Sequence, residues 1–246
     1  SPHPDIVSSR LETLSKLPSL KSGIVITTLE TLSQRLCPKN YIEIYSLHLK
    51  TKQNLEIKSF SENLIKIGYR RVTTVMEQGE FCIKGALIDL YPMGTKNPYR
   101  IDLFDNEIDS IRSFDTSSQR SIEIIKEIKL LPAREFATDS ESILIFKDNY
   151  LSEFGNTDGF IYNEVSEGRY PGGIEFYLPL FFKTTETLFD YILGEPVIFY
   201  QKGLNEAMEL QAKELLERFE YCKGSLERLP LEINKVFLNT ERFFKK

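Results

Sequence analysis

The chain has 246 residues and a formal net charge of −5, with 31 Lys and Arg against 36 Asp and Glu. At 41% hydrophobic, 12% aromatic and 27% charged it has the composition of an ordinary folded protein, which excludes a fibrous or disordered chain and a nonspecific polyanion binder. The longest apolar run, Phe176 to Phe182, has seven residues and contains Pro179, far short of the ~20 that a membrane-spanning helix needs, so no membrane association is expected.

In chain order, Asp5 can cap a helix carrying Val7, Leu11 and Leu14 at helical spacing. Gly23 then precedes a β-branched strand from Ile24 to Thr28, and Leu29 to Leu36 reads as a helix. Tyr41 to Leu49 follows the Cys37-Pro38 break as a second strand. Residues 1–46 therefore look like half of a parallel α/β domain whose other half precedes Ser1. The start, Ser1-Pro2-His3-Pro4, has no signal segment and reads as an excised piece of something longer. Ser61 can cap a short helix, Glu62 to Ile67, ended by Gly68. Four strands follow, Glu80 to Lys84, Ala86 to Tyr91, Tyr99 to Asp105 and Glu107 to Phe114, punctuated by turn residues as in an antiparallel meander. Ile122 to Leu131 fits a strand or a helix. Beyond residue 131, Ser140 to Phe154 and Leu204 to Cys222 read as helices and Val197 to Tyr200 as a strand. The fold class is α/β and multi-domain, with units 1–46, 47–131 and 132–246.

Several chemistries lack their residues. None of the 13 glycines is followed by Lys, so the phosphate-binding P-loop cannot be built and no ATPase site is expected in this chain. With only His3 and His48, and without Gly-x-Ser-x-Gly, neither a metal cluster nor a serine-hydrolase elbow has its usual material. Catalytic residues, metal ligands and cofactors are all expected to be absent. Cys37, Cys82 and Cys222 are odd in number and far apart, which suits reduced thiols in a cytoplasmic protein.

One face stands out. Along Tyr99 to Asp105, Tyr99, Ile101 and Leu103 point to the core while Arg100, Asp102 and Phe104 point the other way. Phe104 thus falls on the wet face among charges. Phe81 and Ile83 form the apolar side of the preceding strand, which turns Lys84 outward, and Gly85 permits a bulge that re-aims it. An aromatic beside an Arg is the composition of a binding hot spot. Lys84, Arg100 and Phe104 form a candidate docking patch, unless a helix of the same domain covers Phe104. Asp89, in mid-strand, can hydrogen-bond a neighbouring turn or pair with Arg100.

The runs EFCIKGALIDLYPMG (Glu80 to Gly94), YRIDLFDNEIDSIRSFD (Tyr99 to Asp115) and LLPAREF (Leu130 to Phe136) resemble the UvrB-homology region of bacterial nucleotide-excision-repair proteins. SPHPDIVSSRLETLSKLP (Ser1 to Pro18), RLCP (Arg35 to Pro38), GYRRVTTVMEQGE (Gly68 to Glu80) and GGIEFYLPLFF (Gly172 to Phe182) resemble the transcription-repair coupling factor (Mfd) family within that group. The resemblance implies a truncated, degenerate helicase-like α/β domain over 1–46, a UvrB-type UvrA-binding domain over 47–131 and a partner α/β domain over 132–246. It implies a module that recruits UvrA to stalled RNA polymerase, docking through Lys84, Arg100 and Phe104 on a surface masked in the resting full-length protein. Lys84 stands where the family usually has Arg, which keeps the charge and loses the bidentate fork. In the intact family member, other domains use ATP and Mg to move on double-stranded DNA and grip RNA polymerase. The alternative, a fragment of a UvrB-like DNA-binding helicase, is opposed by the net acidity, because DNA affinity rests on Lys and Arg neutralising phosphates.

Overall fold

A computed structural model describes residues 3–224 and 228–238. The outer ends of the expected first and third units, residues 1–2 and 239–246, lie outside this description. The protein is mixed α/β and divides into two compact units, one of residues 3–15 and 40–139, the other of 16–39 and the described residues from 140 onward.

The unit containing 40–139 is built on a six-stranded sheet. Strand β1 (Leu47–Lys50) belongs to a separate ribbon; β2 (Arg70–Arg71), β3 (Glu80–Lys84), β4 (Leu87–Tyr91), β5 (Tyr99–Phe104), β6 (Glu107–Phe114) and β7 (Ser121–Ile125) form the sheet in sequential order. The β2–β3 pair is parallel and the others are antiparallel. Strand β8 (Glu127–Leu130) returns to pair antiparallel with β1. The Ile122 to Leu131 ambiguity thus resolves into two strands of two different sheets.

Alternation fills one face of the large sheet with Phe81, Ile88, Leu90, Ile101, Leu103, Ile108 and Ile111, packed with Phe60 and Leu64 of the helix Ile57–Lys66 and with Leu49 and Leu130 of the ribbon. That helix begins five residues before the expected start. Glu56, not Ser61, caps it: its carboxylate accepts the Lys58 and Ser59 N–H groups at 2.9 and 2.7 Å, which satisfies two of the four orphan donors of the first turn. Gly68, at φ +91°, follows its end. The helix Pro4–Lys16 carries Asp5 in its first turn and Lys16 in its last, and buries Leu11 and Leu14.

Three expected strands are corrected. Tyr41 to Leu49 is instead a helix, Lys39–Ile44, that buries Tyr41 and Ile42, with only Leu47–Lys50 extended. Pro38 stands just before that helix, where its missing N–H costs nothing. Ile24 to Thr28 and Val197 to Tyr200 form no ladder among the described residues; Ile26 and Phe199 are each 92% exposed. β-branched composition makes a segment fit a pleated surface, but a strand exists only when a neighbour supplies hydrogen bonds. The helix expected over Leu29 to Leu36 stops at Leu32, after which Gln34 and Leu36 make single bridges to Phe237 and Glu186. In the same unit the long helices are Ser140–Phe154 and Leu204–Lys223, and Ile174–Phe181 forms a 3₁₀ helix that buries Leu178, Leu180 and Phe181.

Candidate functional site

The sheet face opposite the main core is where the three predicted residues lie. Cross-strand register orders it in rows: Lys84 pairs with Leu87, Leu87 with Asp102 and Asp102 with Ser110. The next row runs Cys82, Asp89, Arg100, Arg112, Ile124. Phe104 follows Asp102 on the same side of β5. Lys84 therefore sits roughly 10 Å, two strand spacings, from the backbone of Asp102, with Arg100 and Phe104 on either side of that aspartate. The fold brings all three predicted residues to one surface.

Hairpin turns set their positions. Gly85 adopts φ +61° in a two-residue turn between Lys84 and Leu87, so Lys84 ends its strand at a tight hairpin rather than at the expected bulge. Asp105, at φ +53°, begins the two-residue turn that makes Phe104 the last residue of β5, opposite Glu107. The irregularity in register lies elsewhere: Asp102 pairs with Ser110 and Leu103 with Ile108, which leaves Asp109 as the extra residue of a β-bulge. Because the extra residue is on β6, β5 keeps its alternation and Phe104 stays on the outer face, 74% exposed.

The two cations differ. Lys84 is exposed at the end of its strand. Arg100 is only 19% exposed: its Nε and Nη2 donate to Asp89 Oδ1 and Oδ2 at 2.7 and 2.9 Å, and its Nη1 donates to the Gln119 carbonyl at 3.2 Å. Its guanidinium lies 4.8 Å from the centre of the Phe114 ring. The hydrogen bonds it donates to Asp89 push the Arg100 pKa further above its ordinary value. Beside this pair, Arg112 is bonded to Asp102, which also accepts from Ser110 Oγ at 3.3 Å. Sequence alternation missed this second pair because the bulge at Asp109 breaks the parity of β6. Val75, Cys82 and Phe114 form a small second cluster with Tyr91 and Val72, which covers one end of the face and leaves the Lys84–Phe104 end open.

Other candidates bring no chemistry together. Among the described residues no cluster of His, Cys, Asp and Glu could hold a metal ion, and no helix is long and apolar enough to cross a membrane. Cys37 and Cys82 are buried, Cys222 is exposed, and none of the three is in a disulfide.

Residues 47–136, the stretch that carries this face, match the family model of the UvrB interaction domain. The chain carries a UvrB interaction domain. Over 249 aligned residues it is 42% identical to the transcription-repair-coupling factor of Escherichia coli (strain K12), covering 100% of this chain and 22% of that protein. It is 41% identical to the Haemophilus influenzae transcription-repair-coupling factor over 98% of its length, and 30% identical to that of Staphylococcus aureus (strain Mu50) over 96%. The chain matches the amino-terminal region of the transcription-repair-coupling factors and spans about a fifth of their length. The open face built by β3, β4, β5 and β6 lies wholly inside the UvrB interaction domain match.

Proposed function

We propose that this chain is the repair-recruitment module of a transcription-repair coupling factor, and that the outer face of its large sheet docks UvrA so that UvrA is brought to a stalled RNA polymerase. The observation that carries this reading is Phe104, an aromatic left 74% exposed at a hairpin tip on the face away from the core. Lys84 supplies positive charge and Arg100 a planar donor, and both suit an acidic partner surface. The reading makes 47–131 the docking domain, set between a truncated helicase-like α/β domain (1–46) and a partner α/β domain (132–246). No bond chemistry is assigned to this chain. ATP- and Mg-driven movement on double-stranded DNA, and the grip on RNA polymerase, belong in this proposal to other parts of the longer protein.

Charge supports a protein partner over DNA. Residues 47–131 hold 13 Lys and Arg against 12 Asp and Glu, whereas 132–246 hold 13 against 20. The docking domain is therefore nearly neutral. The test is a pull-down of UvrA by the chain, comparing wild type with Phe104→Ala and Arg100→Glu. Loss of capture by both folded variants is expected; capture equal to wild type would refute the patch.

A further inference from the structure

We infer that Asp89 is a positioning residue of the docking face, holding Arg100 in one orientation so that its remaining N–H groups meet a single carboxylate on the partner. The inference rests on the docking proposal and deepens it. Asp89 sits in the middle of β4 with its side chain 6% exposed, directly opposite Arg100 on β5. The two carboxylate oxygens take the side-on edge of the guanidinium, the Gln119 carbonyl takes one Nη1 proton, and the buried Phe114 ring lies against it. An Arg has five N–H donors in a rigid plane. Three are committed here, which leaves one on each Nη.

Two consequences separate Arg100 from an ordinary surface cation. First, a free Arg loses rotamer freedom when a partner orders it, whereas this one is ordered by the fold before any partner arrives. Second, Asp89 offsets most of its charge, so Arg100 contributes geometry at contact while Lys84 contributes longer-range attraction. Replacing the Asp89 carboxylate with the neutral amide keeps the shape but removes the charge and one of the two acceptor oxygens, which loosens the hold on Arg100.

The experiment titrates UvrA with the whole chain as wild type, Asp89→Asn, Arg100→Ala, the double variant, Arg100→Lys and Phe104→Ala, with a thermal melt of each. Asp89→Asn is expected to weaken binding about tenfold, as for loss of a hydrogen bond to a charged group. That loss should shrink to within about twofold in the Arg100→Ala background, since Asp89 acts through Arg100. Arg100→Lys keeps the charge without the fork and should bind about as weakly as Arg100→Ala. An Asp89→Asn loss that persists undiminished beside Arg100→Ala would make Asp89 a structural strut and overturn the inference. Wild-type affinity in Arg100→Lys would overturn it as well, and decides the matter even if Asp89→Asn melts too low to assay. If Phe104→Ala weakens binding while Asp89→Asn and Arg100→Lys do not, this inference falls and the docking face stands. If Phe104→Ala and Arg100→Ala both bind like wild type, both fall together.

Discussion

Phe104→Ala isolates the apolar part of the docking face. An aromatic side chain buries on the order of 200 Å² when fully covered, and with 74% of Phe104 exposed in the free chain, a partner can remove roughly 150 Å² of it from water. At about 25 cal/mol per Å² that is ~3 to 4 kcal/mol, of which the alanine methyl retains a fraction. The expected loss is on the order of 3 kcal/mol, about a hundredfold in Kd for UvrA. The fold should not notice: a side chain this exposed contributes within about 0.5 kcal/mol to stability, so the melting temperature stays within a few degrees. Titration calorimetry at 0.1 M and 0.5 M salt adds a second discriminator, because an apolar contact survives screening whereas an exposed charge does not. The Phe104→Ala loss should be the same at both salts, and a Lys84→Glu loss should be smaller at the higher one. Unchanged affinity would refute the docking role. A melt lowered by many degrees would instead show Phe104 packing within its own domain.

Three further outcomes are expected. Lys84→Arg places a planar, bidentate donor at that position and should tighten UvrA binding about threefold in the same titration. Glu80→Gln should destabilise the unit by about 1 to 2 kcal/mol at pH 7: burial raises the Glu80 pKa, but the Met76 and Glu77 N–H groups and Arg70 outweigh it and hold the carboxyl below its ordinary 4.5. With the folded value depressed, that contribution is present above pH ~4.5 and lost as pH falls through the folded pKa, so denaturant melts of wild type and variant should converge in acid; a gap that persists unchanged at pH 3 would contradict the assignment. Gly159→Ala should cost about 1 to 3 kcal/mol, because its new methyl would overlap the hydroxyl of Tyr150, a ring 1% exposed and packed against Phe154 and Tyr162. Adding Tyr150→Phe should recover part of that loss in a thermal melt, and no recovery would exclude the clash as its cause.

The sheet was legible where its signals are local. In β3 to β5 each strand alternates, and each joint from β3 to β4 and from β5 to β6 is a two-residue turn with a left-handed first residue, Gly85 or Asp105. Pattern and turn chemistry agree, so the outer positions of Lys84, Arg100 and Phe104 follow without knowledge of the rest of the chain. Ile24 to Thr28 and Val197 to Tyr200 have the same β-rich composition but no local turn bringing a partner strand beside them, and composition alone cannot supply a ladder. The helix Lys39–Ile44 misled for the converse reason. Its buried Tyr41 and Ile42 are β-favouring residues, and tertiary burial outweighed a propensity difference of less than about 1 kcal/mol per residue.

Alternation also says which way a side chain leaves the sheet, and nothing about what it meets there. Arg100 and Lys84 look equivalent in sequence, both outward and both cationic. Cross-strand register makes them different, because it sets Asp89 opposite Arg100, whereas the residue opposite Lys84 is Leu87. Arg112 is held differently: it faces Arg100 across the strands and is bonded diagonally to Asp102, two places further along β5. Of Lys84, Arg100 and Arg112, only Lys84 is left to attract a partner at a distance. It is the one of the three that is not already held in place by the fold. A flexible ammonium there keeps the attraction, and the geometric part of recognition rests on Arg100 and the exposed ring of Phe104.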